Sequence, residues 1–224
     1  SRYFIDKRCS DLVEKFNKTL DSLGEEERSE LDYFMGNNKA IPIKEFIYDA
    51  PEDLLESPRD TSSKLLNSVV LKSPFILGGS ADLFGANKTY IKDGGDFSSN
   101  NYLGKNIFFG VREGAMGAIL NGLALCGFRV YGSTFLAFSD YMRPAIRMAC
   151  MMKLPVIYIF SHDSISVGED GPTHQPVEQL LGLRSIPNLE VFRPADANEV
   201  ISSYKAIAEK NDCPAVITDR KSVV

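Results

Sequence analysis

The chain has only two histidines, and both lie in one stretch, SHDSISVGEDGPTHQP at residues 161–176. His162 and His174 share this stretch with Asp163, Glu169 and Asp170, and it follows directly on the apolar run LPVIYIF. Imidazoles beside carboxylates can move protons near neutral pH or hold an anion. Gly168, Gly171, Pro172 and Pro176 restrict the backbone of such a loop. The alternative is that both histidines are ordinary loop residues, one of them capping a helix. Zinc is a poor alternative, because no cysteine or third histidine is near in sequence and a metal triad would need distant carboxylates.

Two further groups carry chemical potential. Glu113, in FFGVREGAMG, follows a phenylalanine-rich strand and opens a helix of small residues. The helix N-terminus favours the charged carboxylate, whereas apolar burial favours the neutral acid. A helix-start glutamate stabilised by the dipole is the plainer reading. In STFLAFSDYMR, Phe135, Phe138 and Tyr141 are spaced three apart, so they lie near one face once a helix begins. Such a stripe is either core or a platform for a flat ligand.

The elements that position these residues follow from hydropathy. SSKLLNSVVL, EGAMGAILNGLALCG, AFSDYMRPAIRMACMM, QPVEQLLGLRS and ANEVISSYKAIAEKN read as helices. In the last of these, Asp196 and Glu199 have the spacing of a capping box. FILGG, NIFFGV, FRVYGST, LPVIYIF, LEVFRP and PAVITDR read as strands. Short apolar strands alternating with helices predict an α/β fold, a three-layer α/β/α domain with a mainly parallel sheet. Ligands gather beyond the carboxyl ends of such strands, where the polar loops after FILGG, NIFFGV and VIYIF all fall. Upstream, Leu12, Val13, Phe16, Leu20 and Leu23 mark an amphipathic helix over residues 8–23, and GEEERSELDYFM a second. Prolines 42, 51 and 58 punctuate the stretch from there to the main domain. Residues 1–57 read as a linker segment with short helices, and residues 58–224 as the main domain.

Composition narrows the class. With 224 residues, 44% hydrophobic and 25% charged, the chain is an ordinary globular protein. A net charge of −5 argues against a nucleic-acid partner, which calls for a basic face. The four cysteines, at 9, 126, 150 and 213, show no CxxC spacing and read as free thiols of a reducing compartment. No run is long enough for a membrane helix and SRYFIDKRCSD is no signal peptide, so a cytoplasmic location without membrane contact is expected. The Ser start and the abrupt end at KSVV are as expected of an excised fragment.

Taken together, GGSADL, GVREGAMGAILNGLAL, STFLAFSDYMRPAIRMA and SHDSISVGEDGPTHQPVEQL, in this order and spacing, resemble the central pyrimidine-binding domain of transketolase, a thiamine diphosphate enzyme. The resemblance covers residues 58–220. Deoxyxylulose-phosphate synthase and the pyruvate dehydrogenase beta subunit share the fold, but GEDGPTHQPVEQ is the transketolase form of the loop. The resemblance implies a ketol transferase of the pentose phosphate pathway, dimeric, with thiamine diphosphate as cofactor and sugar phosphates as substrates. Glu113 matches the glutamate that hydrogen-bonds N1′ of the aminopyrimidine and drives the tautomer that activates the thiazolium carbon. Phe135, Phe138 and Tyr141 match the aromatic pocket around that ring, and Asp82 a carboxylate close to the cofactor. His174 matches a histidine near the reacting hydroxyls, and Asp170 a residue that reads a hydroxyl beside the donor carbonyl. His162 matches a phosphate contact, and Arg59 and Arg220 the two arginines that complete the sugar-phosphate site.

Three departures stand out. Ala86, in SADLFGAN, occupies the place of the family's phosphate-binding serine. One hydrogen bond to a charged group is thereby lost or replaced, about 1.5–3 kcal/mol. The family's basic Arg-Lys pair reads Arg59-Asp60 here. The GDG motif that, with a later asparagine, holds the diphosphate through Mg²⁺ or Ca²⁺ is missing, so that metal site is expected in a preceding N-terminal domain. The chain is therefore expected to carry half of a cofactor site and to be inactive alone. Two other readings remain open: a non-catalytic binding or dimerisation module on the same fold, and another thiamine-dependent enzyme such as deoxyxylulose-phosphate synthase.

Overall fold

A computed structural model of the chain describes residues 2–25, 27–28, 31–32 and 56–219. It divides into two compact units, Ser1–Lys39 and Ala40–Val224. In the first, helix α1 (Arg2–Ser22) carries a Glu14–Lys18 ion pair of 2.7 Å one turn apart. The apolar residues Leu12, Val13 and Phe16 of that helix are exposed. Half of the second expected upstream helix, and the proline-punctuated stretch up to residue 55, lie outside the described residues.

The second unit holds a six-stranded, wholly parallel sheet. Its strands are β1 (Ile76–Ser80), β2 (Asn106–Phe108), β3 (Arg129–Phe135), β4 (Ile157–Ser161), β5 (Glu190–Phe192) and β6 (Ala215–Asp219). Their order is β2-β1-β3-β4-β6-β5. Side chains alternate strictly between the faces. Val130, Tyr158, Phe160 and Val216 enter one core, and Tyr131, Ile157, Ile159, Ala215 and Ile217 enter the other. Helices α4 (Glu113–Leu125) and α5 (Arg143–Met151) cover the first face, with Met116, Leu120, Ile146 and Ala149 fully buried. On the second lie α2 (Pro58–Lys72) and α7 (Ala197–Glu209), through Leu65, Val69, Val70, Val200, Tyr204 and Ile207. The expected three-layer α/β/α architecture is present. Two short helices, α3 (Phe84–Asn87) and α6 (Gln179–Arg184), complete the edge.

Local chemistry sets the boundaries. α2 starts where the Ser57 hydroxyl accepts the Asp60 amide at 3.2 Å and Pro58 supplies a preset φ. α7 has the expected side-chain cap, the Asp196 carboxylate accepting the Glu199 amide at 2.8 Å, while the Glu199 carboxylate reaches one residue past the cap to accept the Ala195 amide at 2.8 Å. One expected helix differs. The stretch Leu136–Met142 is a 3₁₀ helix, and the α-helix begins only at Arg143, with Pro144 in its first turn. A 3₁₀ turn has three residues, so side chains three apart stack rather than fan out.

Candidate functional site

After β1 the chain moves to β2 on one side, then crosses back to β3 on the other. The carboxyl edge between β1 and β3 is thus the topological switch point, where open parallel sheets bind ligands. Phe135 ends β3 at this edge, and His162 follows β4 directly.

The aromatic residues gather here. The rings of Phe135 and Phe138 stack with centroids 5.8 Å apart and planes 12° from parallel, and Tyr141 continues the row at 6.4 Å from Phe138. His162 lies against Phe135 at 3.8 Å. His174 meets both phenylalanines edge-on, 5.8 Å from Phe135 and 5.1 Å from Phe138. The two histidines of the chain therefore converge on one wall from opposite ends of their loop. Phe135 is buried, Phe138 half-buried and Tyr141 exposed, so the wall rises from the core to the surface.

Glu113 is the first residue of α4 and is buried. Its one hydrogen bond among the described residues comes from the Thr134 hydroxyl, at 3.4 Å to Oε1; Thr134 is the residue before Phe135. Small residues bring α4 this close. A Cβ on Gly114 would stand 3.1 Å from the Tyr141 carbonyl, and one on Gly117 only 2.7 Å from Cβ of Ala145. Larger side chains at either position would push the carboxylate away from the aromatic row. A buried carboxylate with remaining acceptor capacity, beside a half-open stacked ring, suits a flat heteroaromatic ring that carries a proton on nitrogen.

His162 is held by a chain of hydrogen bonds that the sequence did not reveal. Ser161 donates to Oδ1 of Asn87 at 2.5 Å, and its oxygen lies 2.8 Å from His162 Nδ1. Since Ser161 has spent its proton on Asn87, Nδ1 is the donor in this arrangement. Asn87 in turn donates to the Ser80 hydroxyl at 3.3 Å, which ties α3 to β1 and β4. Both His162 (φ 56°) and Asp82 (φ 65°) are held in the left-handed region, uncommon for side-chain-bearing residues and concentrated at functional edges.

Arg59, in the first turn of α2, donates to the Ala86 carbonyl at 2.7 Å, while its Nε is buried without a partner among the described residues. At Ala86, then, the backbone carbonyl receives the arginine. Asp82 and Asp170 are exposed, and among the described residues neither side chain makes a hydrogen bond or ion pair. Arg220 lies outside the described residues. Two further acids stand at this edge, Asp163, noted in the loop without a role of its own, and Asp219, which the sequence did not single out. Asp163 is buried and paired with Arg193 at 2.8 Å. Asp219 ends β6, fully buried, with neither oxygen hydrogen-bonded among the described residues. Burial pushes its pKa up to about 8, and the Asp163 charge adds to this. The Ser62 hydroxyl, which also lies 2.7 Å from the Tyr204 hydroxyl and can turn its proton toward Asp219, and the Arg59 charge pull it down.

Fold and edge together define a parallel-sheet α/β/α domain whose switch-point edge carries an aromatic wall, an acidic helix start and a histidine loop. Residues 57–224 match the family described as transketolase, pyrimidine binding domain. The transketolase of Bacillus subtilis (strain 168) is 58% identical over 160 residues, covering 71% of this chain and 24% of that protein. The transketolase structure from Leishmania mexicana superposes with a TM-score of 0.90 at 36% identity, covering 99% of this chain and 33% of the other. A Pichia stipitis transketolase solved in complex with sedoheptulose 7-phosphate gives 0.83 at 35% identity, with 97% and 33% covered. The chain belongs to the transketolase family, in its pyrimidine-binding domain. It spans about a quarter of the length of that Bacillus relative.

Proposed function

We propose that this chain is the pyrimidine-binding part of a transketolase, which moves a two-carbon ketol unit from a ketose phosphate to an aldose phosphate. The observation that carries the reading is Glu113: buried, opening α4, bonded among the described residues only by Thr134 and packed through Gly114 against the aromatic row. Thiamine diphosphate, when bound, supplies the carbanion chemistry that breaking a ketose carbon bond requires. Glu113 holds a proton at the pyrimidine's ring nitrogen. Phe135, Phe138 and Tyr141 hold the flat ring and keep water from it. Asp82, at the mouth of β1, stands on the cofactor side. His174, braced by Thr173 at 2.9 Å and by both phenylalanines, moves protons at the substrate hydroxyls, and Asp170 reads one of them.

Arg59, His162 and Arg220 form the phosphate end. His162 Nδ1 is fixed by Ser161, and Arg59 approaches from α2. The sugar-phosphate complex of the Pichia stipitis relative supports sugar phosphates as the substrate class. Mg²⁺ or Ca²⁺ with the diphosphate belongs to a domain before this one, so residues 58–224 act as one half of a site, preceded by a linker over 1–57. A homodimer supplies the partner surface, and exposed apolar residues such as Val111, Ile119 and Leu125 around α4 are available to it. A cytoplasmic location belongs to the same proposal; among the described residues no helix is long and apolar enough to cross a membrane.

The test is a coupled assay of ketol transfer by the full-length protein with thiamine diphosphate and Mg²⁺. Transfer is expected, with a loss of about 10² to 10⁴ in rate for Glu113→Ala at unchanged circular dichroism. The 224-residue chain assayed alone is expected to show no turnover. A full-length Glu113→Ala variant as fast as wild type overturns the reading.

A further inference from the structure

The histidine loop is fastened near both of its ends. At its start the Asp163 carboxylate is paired with Arg193. In the middle, Gln175 donates to the Ile165 carbonyl at 3.0 Å and ties the loop to itself. His174 belongs to this middle part. Among the described residues its hydrogen bonds stay inside the loop, to the Thr173 hydroxyl and, through its amide, to the Gly171 carbonyl at 3.1 Å. Its place against Phe135 and Phe138 is therefore set by ring contact and by whatever joins the loop to the aromatic row.

That joint is Gln179, the first residue of α6, which is buried. Its Oε1 accepts the Val177 amide at 2.9 Å, which fixes the sense of the side-chain amide and leaves Nε2 for carboxylates. Nε2 donates to Oδ2 of Asp140 at 2.8 Å, with Oε1 of Glu178 farther off at 3.3 Å. Asp140 lies in the 3₁₀ helix between Phe138 and Tyr141. Its other oxygen faces Arg143 Nη1 at 3.8 Å, and Arg143 Nη2 donates to the Gly182 carbonyl of α6 at 3.2 Å. Glycine suits that place, since a Cβ on residue 182 would stand 2.2 Å from the guanidinium. Among the described residues, these two side-chain hydrogen bonds, Gln179 to Asp140 and Arg143 to Gly182, join residues 163–185 to the aromatic row.

We propose that Gln179, through Asp140, is a positioning residue that sets the distance between His174 and the aromatic wall. This rests on the reading of His174 as the group that moves protons at the substrate hydroxyls and of the wall as the seat of the cofactor ring. Proton transfer needs hydrogen-bond reach, and a misplacement of about 1 Å can cost about 10² in rate. The row itself is anchored by Leu136, Ser139 and Met142, all buried, so the loop is the part that moves when the clasp opens. Glu113 is bonded by Thr134 of β3 and stands outside the clasp. Opening the clasp therefore impairs the substrate steps and leaves activation of the cofactor as it was.

The experiment uses the full-length enzyme with thiamine diphosphate and Mg²⁺. Gln179→Met keeps the length of the side chain and removes its hydrogen bonds. Its kcat/KM in the coupled assay of ketol transfer is expected to fall about 10- to 100-fold, with cofactor Kd and hydrogen–deuterium exchange at the thiazolium carbon at their wild-type values. In a His174→Ala background the same change is expected to bring no further loss, because the group it positions is gone. A reversed hydrogen bond tests the pair itself and serves if Gln179→Met folds poorly. Gln179→Glu sets two carboxylates against each other. Adding Asp140→Asn supplies a donor from the other side, while the new carboxylate still accepts the Val177 amide, and most of the lost rate is expected to return. A wild-type rate in Gln179→Met, a loss that multiplies with that of His174→Ala, a matching fall in thiazolium exchange, or no recovery in the reversed pair overturns the proposal. Unimpaired transfer by His174→Ala alone is the failure of the histidine reading, and the proposal falls with it.

Discussion

Asp219 makes a prediction about folding that needs no substrate. Its pKa is about 8 in the folded protein against an ordinary 3.8. Between these values the folded chain holds a proton that the unfolded chain has released. Stability therefore falls as pH rises through this window, by at most about 1.36 kcal/mol per pH unit. Below about pH 4 both states are protonated and the effect vanishes; above about pH 8 both are ionised and the full cost is felt. A gap of about four pH units sets an upper bound of roughly 5 kcal/mol, a large part of the total stability of such a domain. Asp219→Asn keeps the shape and removes the titration. Urea unfolding of both proteins at several pH values between about 4 and 9 gives the difference directly. The asparagine variant is expected to gain on the wild type steadily across the window and to stop gaining above it. Parallel curves would show that Asp219 is ionised, or solvated, throughout.

Other substitutions test the scaffold around the site. Gly117→Val drives a side chain into Ala145, whose Cβ is 2.7 Å from where even a bare Cβ would stand, and should cost about 1–3 kcal/mol in urea unfolding and weaken thiamine diphosphate binding by the full-length enzyme. Arg193→Ala strands the buried Asp163 carboxylate and should cost about 1.5–3 kcal/mol by thermal unfolding, with part recovered by adding Asp163→Asn. Asn87→Ala removes the acceptor that orients Ser161; the KM for a sugar phosphate should rise with kcat little changed, whereas equal effects on an unphosphorylated ketose would argue against a role through His162.

The order of strands and helices was readable because each strand alternates between two cores, so its apolar run is short, continuous and bounded by polar loops. Glu113 was readable as a helix start for the same reason. The 3₁₀ stretch was not, since Phe135, Phe138 and Tyr141 at spacing three fit either helix type and only Pro144 hints where the α-helix begins. The convergence of His162 and His174 on Phe135 was suggested by their shared loop, but the bracing through Asn87 joins residues distant in sequence. Asp219 left no signal at all: a polar residue closing PAVITD looks like the first residue of a solvated loop, and its burial comes from α2 and α7 folding over the strand end. Asp82 and Asp170 were singled out through the family resemblance, and local hydrogen bonding gives them no partner among the described residues.

The proton held by Glu113 is the centre of the proposed chemistry. The direct measurement is hydrogen–deuterium exchange at the thiazolium carbon of thiamine diphosphate bound to the full-length enzyme, followed by NMR after rapid quenching. Wild type is expected to exchange this proton faster than Glu113→Ala by about 10² to 10⁴, with Glu113→Gln close to the alanine variant and both still binding cofactor. Exchange at the wild-type rate in a cofactor-loaded Glu113→Ala enzyme would reduce Glu113 to a helix-start residue and contradict the assignment of the site.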